Sequence, residues 1–429
     1  MGAVMGTVQQ KDLQSAIGLH SKHAIFNFKP YKLVFVSCNS RCRCQNINRS
    51  DNHGNISPKP RSGHRIVCDD INMYSFGGYN PSLTTTDEED LAHDAVWAES
   101  KPLFKELWKY NVSTASWKRL DVNEIPDILA SNAVLLSGRV LMVYGGTGVP
   151  FGANCSKDLF ICDLGSNRDP LKFDLISALG NCPQPQYGQA IILINHYLYT
   201  IGGTTGFEYT CDIHRLNLQD RIWEAVYTCK GTDNEPRGRY RHEIAFDQNK
   251  IYVLGGGTSV ETFDFQVVFA FNLLTCLWER VTTRPDNNAR EAYPTPRRCH
   301  SCVQHGQFVY VMGGFTGNRM LKDFWRLDLS TLEWRKLPQL ALDHGVYFHS
   351  SCLTPSGKLI TFGGIVPSGN NSKRTSDVHT AWLCIPKLKE ICWEAIMFYC
   401  PYLDSFSKTD LVALGLPSEF IQRLDLASD

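Results

Sequence analysis

The sequence predicts an all-β fold, a six-bladed β-propeller followed by a small helical module. Six Gly-Gly pairs recur at Gly77-Gly78, Gly145-Gly146, Gly202-Gly203, Gly255-Gly256, Gly313-Gly314 and Gly363-Gly364. The steps between them are 68, 57, 53, 58 and 50 residues. A short apolar run precedes every pair, and a tryptophan-ended polar hairpin follows four of them.

A period of about 50 residues is that of a kelch blade, one four-stranded sheet per repeat. The runs before the glycines, such as Val140-Leu141-Met142-Val143-Tyr144 and Phe308-Val309-Tyr310-Val311-Met312, are β-branched and aromatic. Such runs stopped by glycine read as buried inner strands. Glycine there permits close approach at the narrow end of a blade. The hairpins end on Trp117, Trp223, Trp278 and Trp334. A large ring at that position suits packing between adjacent blades. The second repeat lacks the tryptophan, and Phe173 is its expected substitute.

Three regions follow: a non-repetitive segment over 1–60, the propeller over 61–385 and a helical module over 386–429. In the first region, Leu33-Val34-Phe35-Val36 is either a lone strand in a polar stretch or the strand that closes the ring. The insertion Asp87-Glu88-Glu89-Asp90 reads as a solvated loop that lengthens the first repeat. Past the sixth repeat the apolar period becomes helical. Leu388, Ile391, Cys392, Ala395, Ile396 and Tyr399 fall on one face, and Pro401 stops the helix. Ser407-Lys408-Thr409-Asp410 resembles a helix start, and Pro417 opens a third short helix. These helices are either a cap on the disc or a docking module.

With 43 basic and 43 acidic residues, no global field favours nucleic acid or anionic membrane. No stretch has the length and apolarity of a membrane span, and Met1-Gly2-Ala3-Val4-Met5-Gly6 lacks signal-peptide and myristoylation patterns. The 16 cysteines, among them Cys68, Cys299, Cys302 and Cys352, fit reduced core thiols and a cytoplasmic or nuclear location. Cys38, Cys42 and Cys44 with His53 have poor spacing for zinc, so no metal and no cofactor are expected.

The helical module carries a resemblance. Leu388-Lys389-Glu390-Ile391-Cys392-Trp393-Glu394-Ala395-Ile396 is similar to an elongin-binding box, with Leu388, Cys392 and Ile396 as its contacts. Leu416-Pro417-Ser418-Glu419-Phe420 is similar to a cullin-2-type box, whose contacts would be Leu416, Pro417 and Phe420. With Arg61-Ser62-Gly63-His64-Arg65 and Arg297-Arg298-Cys299-His300-Ser301-Cys302, the chain resembles the kelch-repeat substrate receptors of cullin-2 ubiquitin ligases over about 61–429. The resemblance implies a non-catalytic adaptor. Its partners would be elongin B, elongin C, cullin-2 with its RING subunit, and substrates held by their C-termini. A kelch scaffold or actin-binding protein is the alternative, whereas a copper-radical oxidase would need a Tyr, His and Cys ligand set not evident here.

One face of the disc is the expected binding site. His64, His242 and His300 each lie 13 residues before a Gly pair, so they share one position in the blade. Arginines stand just upstream, at Arg61, Arg239, Arg241, Arg297 and Arg298. An arginine here suits either an inter-blade ion pair or a pocket, where its planar fork matches a carboxylate. The expected carboxylate-binding set is Arg239, Arg241, Arg297, Arg298 and Ser301, walled by Tyr79, Tyr187, Tyr240, Phe315 and Tyr347. The resemblance implies the occupant: a C-terminal degron ending in glycine or in an alanine or small-residue tail.

Overall fold

The computed structural model describes residues 26–28, 30–36, 57–81, 103–424 and 426. The Asp87–Asp90 insertion, the N-terminal Met1–Gly6 and the Cys38, Cys42, Cys44 and His53 cluster lie outside these residues. Six antiparallel sheets form the blades of a propeller. Blade one runs outward through Arg65–Cys68, Asn72–Phe76, Leu107–Asn111 and Ser116–Leu120. Blade three gains a short fifth strand, Leu179–Gly180, laid parallel to Ile222–Tyr227.

Blade six is built from both ends of the propeller. Its inner strands are Ser350–Leu353, Lys358–Phe362 and Val378–Trp382. Its outermost strand is Val34–Val36, antiparallel to Val378–Trp382 with Phe35 opposite His379. The borrowed strand satisfies a backbone edge that would otherwise remain unpaired.

Packing between blades follows one rule. The aromatic on an outer strand sits against the residue that ends the run before the previous blade's glycines. Trp117 lies 5.0 Å from Phe362, Phe173 lies 5.7 Å from Phe76, and Trp223 lies 5.5 Å from Tyr144. Phe173 is 1% exposed and takes the missing tryptophan's place in blade two. Each such ring removes a large apolar area from water, so this packing is the main source of cohesion.

Around the axis the backbone closes on itself. Gly63, Ser131, Gly188, Arg241, Cys299 and Phe348 occupy the same blade position, with φ between 52° and 68°. The N–H of each donates to the carbonyl of its counterpart one blade back, at 2.7–3.2 Å, and Gly63 closes the circle onto Phe348. Outside this ring the next residues form a collar: His64, Asn132, Gln189, His242, His300 and His349. Five of the six collar side chains press on the first glycine of the preceding blade, while Asn132 meets its own blade's pair, Gly145 and Gly146. A Cβ at Gly313 would stand 2.7 Å from His349 Cε1, and one at Gly145 would stand 2.2 Å from Gln189 Nε2.

The second glycines are equally constrained. At Gly256 (φ +84°) an added Cβ would meet His242 Cβ at 2.6 Å and its Cα at 2.9 Å. Gly256→Ala should therefore cost on the order of 3 kcal/mol from left-handed strain and overpacking. A urea-unfolding midpoint unchanged from wild type would refute this.

Candidate functional site

The axial ring floors a cup on one face of the disc. Its wall comes from two equivalent positions in the blades. Tyr187, Tyr240 and Tyr347 immediately precede ring residues, while Tyr79 and Phe315 immediately follow Gly pairs. The two positions bridge each other across the blade, as in Arg298 with Phe315 and Ser62 with Tyr79. All five aromatics are half-buried, so each keeps part of its ring open. Phe315 stacks on Tyr347 at 4.9 Å, and Tyr187 meets Tyr240 edge-on at 6.1 Å.

Arg241 occupies the floor. Its guanidinium crosses from blade four to donate to Ser131 Oγ in blade two, and it lies 4.8 Å over the Phe348 ring in blade six. The side chain is buried, and its Nε has no partner among the described residues. Burial and nearby Arg65 lower the Arg241 pKa from its usual value. Arg298 is half-buried beside it and donates to the Thr258 carbonyl. Arg374, which the repeat pattern did not single out, donates to Ser62 Oγ at 3.3 Å and lies 5.2 Å over Tyr79. Below the floor the channel widens into a cavity of about 330 Å³. The Arg65–Glu243 pair, 2.8 Å long, joins opposite blades there.

Three expected carboxylate ligands lie elsewhere. Arg239 and Arg297 are buried, and each donates through Nη1 at 3.0 Å to its own blade's first glycine, Gly255 or Gly313. Their Nε groups donate to the Arg237 and Thr295 carbonyls, and Asp323 pairs with Arg297 at 2.6 Å. Arg61 repeats the pattern on Gly77. These guanidiniums hold the blade together instead of facing a ligand, because a buried charge with satisfied donors has little to offer one. Ser301 is also buried, its Oγ donating to the His349 carbonyl at 3.2 Å. Of the expected set, the structure brings only Arg241 and Arg298 to the cup.

The helical module packs on the opposite face, where the strands' far hairpins lie. Helix α1 spans Leu388–Tyr399, α2 spans Lys408–Ala413 and α3 spans Ser418–Ile421. Ser407 caps α2 by accepting from the Asp410 amide at 3.1 Å. Trp393 turns inward: its indole donates to Ser113 Oγ of blade one at 2.9 Å and its ring stacks on Phe420 at 5.0 Å. Glu394 binds Lys358 and the Trp382 indole of blade six at 2.9 and 2.8 Å. Arg423 forks onto Glu390 at 2.6 and 2.9 Å, holding that carboxyl below its usual pKa. The module thus straddles the seam between the first and last blades.

The outer side of α1 is freer of these contacts: Leu388 is 74% exposed and Cys392 is exposed, whereas Ile396 is half-buried and packs against the module's core. The proposed cullin contacts divide. Pro417 is exposed and Leu416 is half-buried, but Phe420 is buried against Trp393, so it belongs to the module's core instead of a contact surface.

Comparison with known proteins adds lineage to this geometry. The KLHDC2/KLHL20/DRC7 Kelch-repeats domain matches residues 32–203, 96–314 and 228–396. Kelch domain-containing protein 10 of Xenopus tropicalis is 41% identical over 372 residues, covering 86% of this chain and 87% of that protein. The Homo sapiens counterpart is 40% identical over the same share of this chain and 81% of its own length. The chain belongs to the kelch domain-containing protein 10 family. The Drosophila melanogaster homolog of that family is 38% identical over 93% of this chain, which spans 66% of the fly protein's length. Kelch domain-containing protein 2 of Bos taurus is 25% identical over 72% of this chain.

In this member of the kelch domain-containing protein 10 family, the collar beneath the cup holds four buried histidines. Burial lowers the pKa of His242 and His349 to about 3, and puts His64 and His300 well below 6.5. Nearby arginines, Arg61 for His64 and Arg297 for His300, reinforce the effect. His214 and His379 are shifted the same way by burial. Below pH 6.5 the unfolded chain therefore binds more protons than the folded one. Stability is complete above that pH and falls as pH drops toward the folded values. From the collar alone the slope should approach about 5 kcal/mol per pH unit in acid. Urea unfolding at pH 7.5, 6.5 and 5.5 should show this loss, and His300→Gln, which copies Gln189, should reduce proton uptake by about one. A flat profile above pH 5.5 would contradict buried neutral histidines.

Proposed function

We propose that the protein is a non-catalytic substrate receptor for a cullin-2 RING ubiquitin ligase, acting in the cytoplasm or nucleus. The cup takes the free C-terminus of a substrate, and α1 docks elongin C with elongin B. The observation that carries this reading is the placement of two unlike surfaces on opposite faces. One is a cationic, aromatic-walled cup; the other is an apolar helix stripe anchored to the blades.

The chemistry supports each half. A terminal carboxylate matches the Arg241 and Arg298 guanidiniums, and small terminal residues allow backbone into a narrow mouth. Leu388, Cys392 and Ile396 recur every four residues along α1. They form one stripe, the pattern of a helix laid in a partner's groove. Trp393 and Glu394 fix that helix to blades one and six. Leu416 and Pro417 remain the proposed cullin-2 contacts.

Two measurements test the halves separately. Wild type should capture elongin B, elongin C and cullin-2 from cell extract, and Leu388→Ser with Cys392→Phe should abolish capture without altering thermal stability. Peptides ending in glycine or alanine should bind the cup, and amidating their C-terminus or introducing Arg298→Ala should weaken binding about 10- to 100-fold. Equal binding of acid and amide peptides would sink the carboxylate role. Failure of wild type to capture elongins would leave the helices as a cap.

A further inference from the structure

The rim of the cup differs between its two halves. Hairpins linking the second and third strands of each blade rise above the axial ring, and five of their tips lie among the described residues. Tips on blades two, three and four carry Phe151, Phe207 and Val260, which are 39%, 85% and 91% exposed. Hairpins on blades five and six carry Arg319, Lys373 and Arg374 instead.

The apolar tips stand on a tied framework. Cys155 Sγ donates to the Gly152 and Thr205 carbonyls at 3.4 and 3.7 Å, linking blades two and three. Gly152 and Gly206 pack so closely that a Cβ on either would approach the other's Cα within 2.9 Å. The Ser259 amide donates to Tyr209 Oη at 3.0 Å, linking blades three and four. Phe151 also lies 4.8 Å from Tyr79 of the cup wall, so the crescent continues into the cup. Exposed Glu208 flanks Phe207, and Glu261 beside Val260 pairs with Arg237 at 3.0 Å. Glu261 is neutralised by Arg237, so Glu208 is the charge that disfavours acidic side chains beside Phe207, while the other half of the rim favours an anionic terminus.

We propose that Phe151, Phe207 and Val260 form a second subsite for the same C-terminal peptide, holding apolar, non-acidic side chains upstream of the residues inside the cup. The inference rests on the proposed peptide-binding role of the cup. A chain whose carboxylate sits toward the arginines leaves over the opposite rim. There its upstream side chains meet three tied apolar crests, with Glu208 beside Phe207. Degron choice would then depend on a stretch beyond the terminal pair of residues.

The test uses the full chain and fluorescein-labelled Gly/Ser peptides ending in Ala-Ala, with one Phe or one Asp moved through the upstream positions. At one or more positions Phe should tighten binding about tenfold and Asp should weaken it. Phe207→Asp with Val260→Asp should erase the Phe gain while binding the plain peptide like wild type. A milder pair, Phe207→Ser with Val260→Ser, should erase most of the gain and guards against a folding defect. Plain-peptide binding with no Phe gain, or a gain that survives in both variants, overturns this inference alone. Absence of binding to any free-acid peptide overturns both the cup reading and the subsite built on it.

Discussion

The circle of backbone hydrogen bonds from Gly63 through Phe348 is the constraint on which the other features depend. It requires a left-handed residue from every blade, and only two of the six are glycine. Each of the remaining four carries about 1–2 kcal/mol of strain, comparable to the net worth of the bond it makes. The circle is therefore close to neutral by itself. Apolar packing between blades supplies the cohesion, and the circle converts that cohesion into a fixed axis. Its consequence is direction: collar side chains go down onto glycine pairs, the preceding blade's for all but Asn132, and neighbouring aromatics go up to wall the cup.

Arginine shows how that geometry sorts one residue type into two roles. Arg61, Arg239 and Arg297 lie beyond the ring and neutralise their burial by donating to glycine carbonyls of their own blades. Arg241 lies within the ring, where the left-handed backbone sends its side chain across the axis. Among the described residues its side chain meets a hydroxyl and an aromatic face. A guanidinium desolvated without an anion is costly, and an incoming carboxylate relieves that cost. Blade ties and cup arginines thus differ by position: Arg241 lies two residues past Arg239 on the left-handed ring, and Arg298 lies one residue past Arg297 on the cup wall.

The seam between blades one and six concentrates the chain's ends. Val34–Val36 closes blade six, and the Phe26 amide donates to Tyr399 Oη of α1 at 2.8 Å. Trp393 and Glu394 reach from the same helix to the two blades that the seam separates. Closure of the disc and anchoring of the module therefore share residues. The helix is a rigid extension of the propeller, and its outer stripe inherits a defined position relative to the cup.

Much of this was legible in the chain itself, for a physical reason. Strand periodicity and paired glycines are local requirements, so the six repeats, the substitute Phe173 and the helical period after residue 385 can be read without coordinates. The histidine offset was also legible, though incompletely. Asn132 and Gln189 fill the same position with other side chains, and His349 lies one residue further from its glycines because blade six carries an extra residue. What only tertiary structure decided was direction. Sequence placed Arg239, Arg241, Arg297 and Arg298 together, but the direction each side chain takes from its blade position separates the blade ties from the cup. Likewise, the boxes of the helical module are patterns of spacing. Packing against Trp393 is what removes Phe420 from the surface and leaves Leu388 and Cys392 on it, because the buried side of a short helix is set by the surface on which it lands.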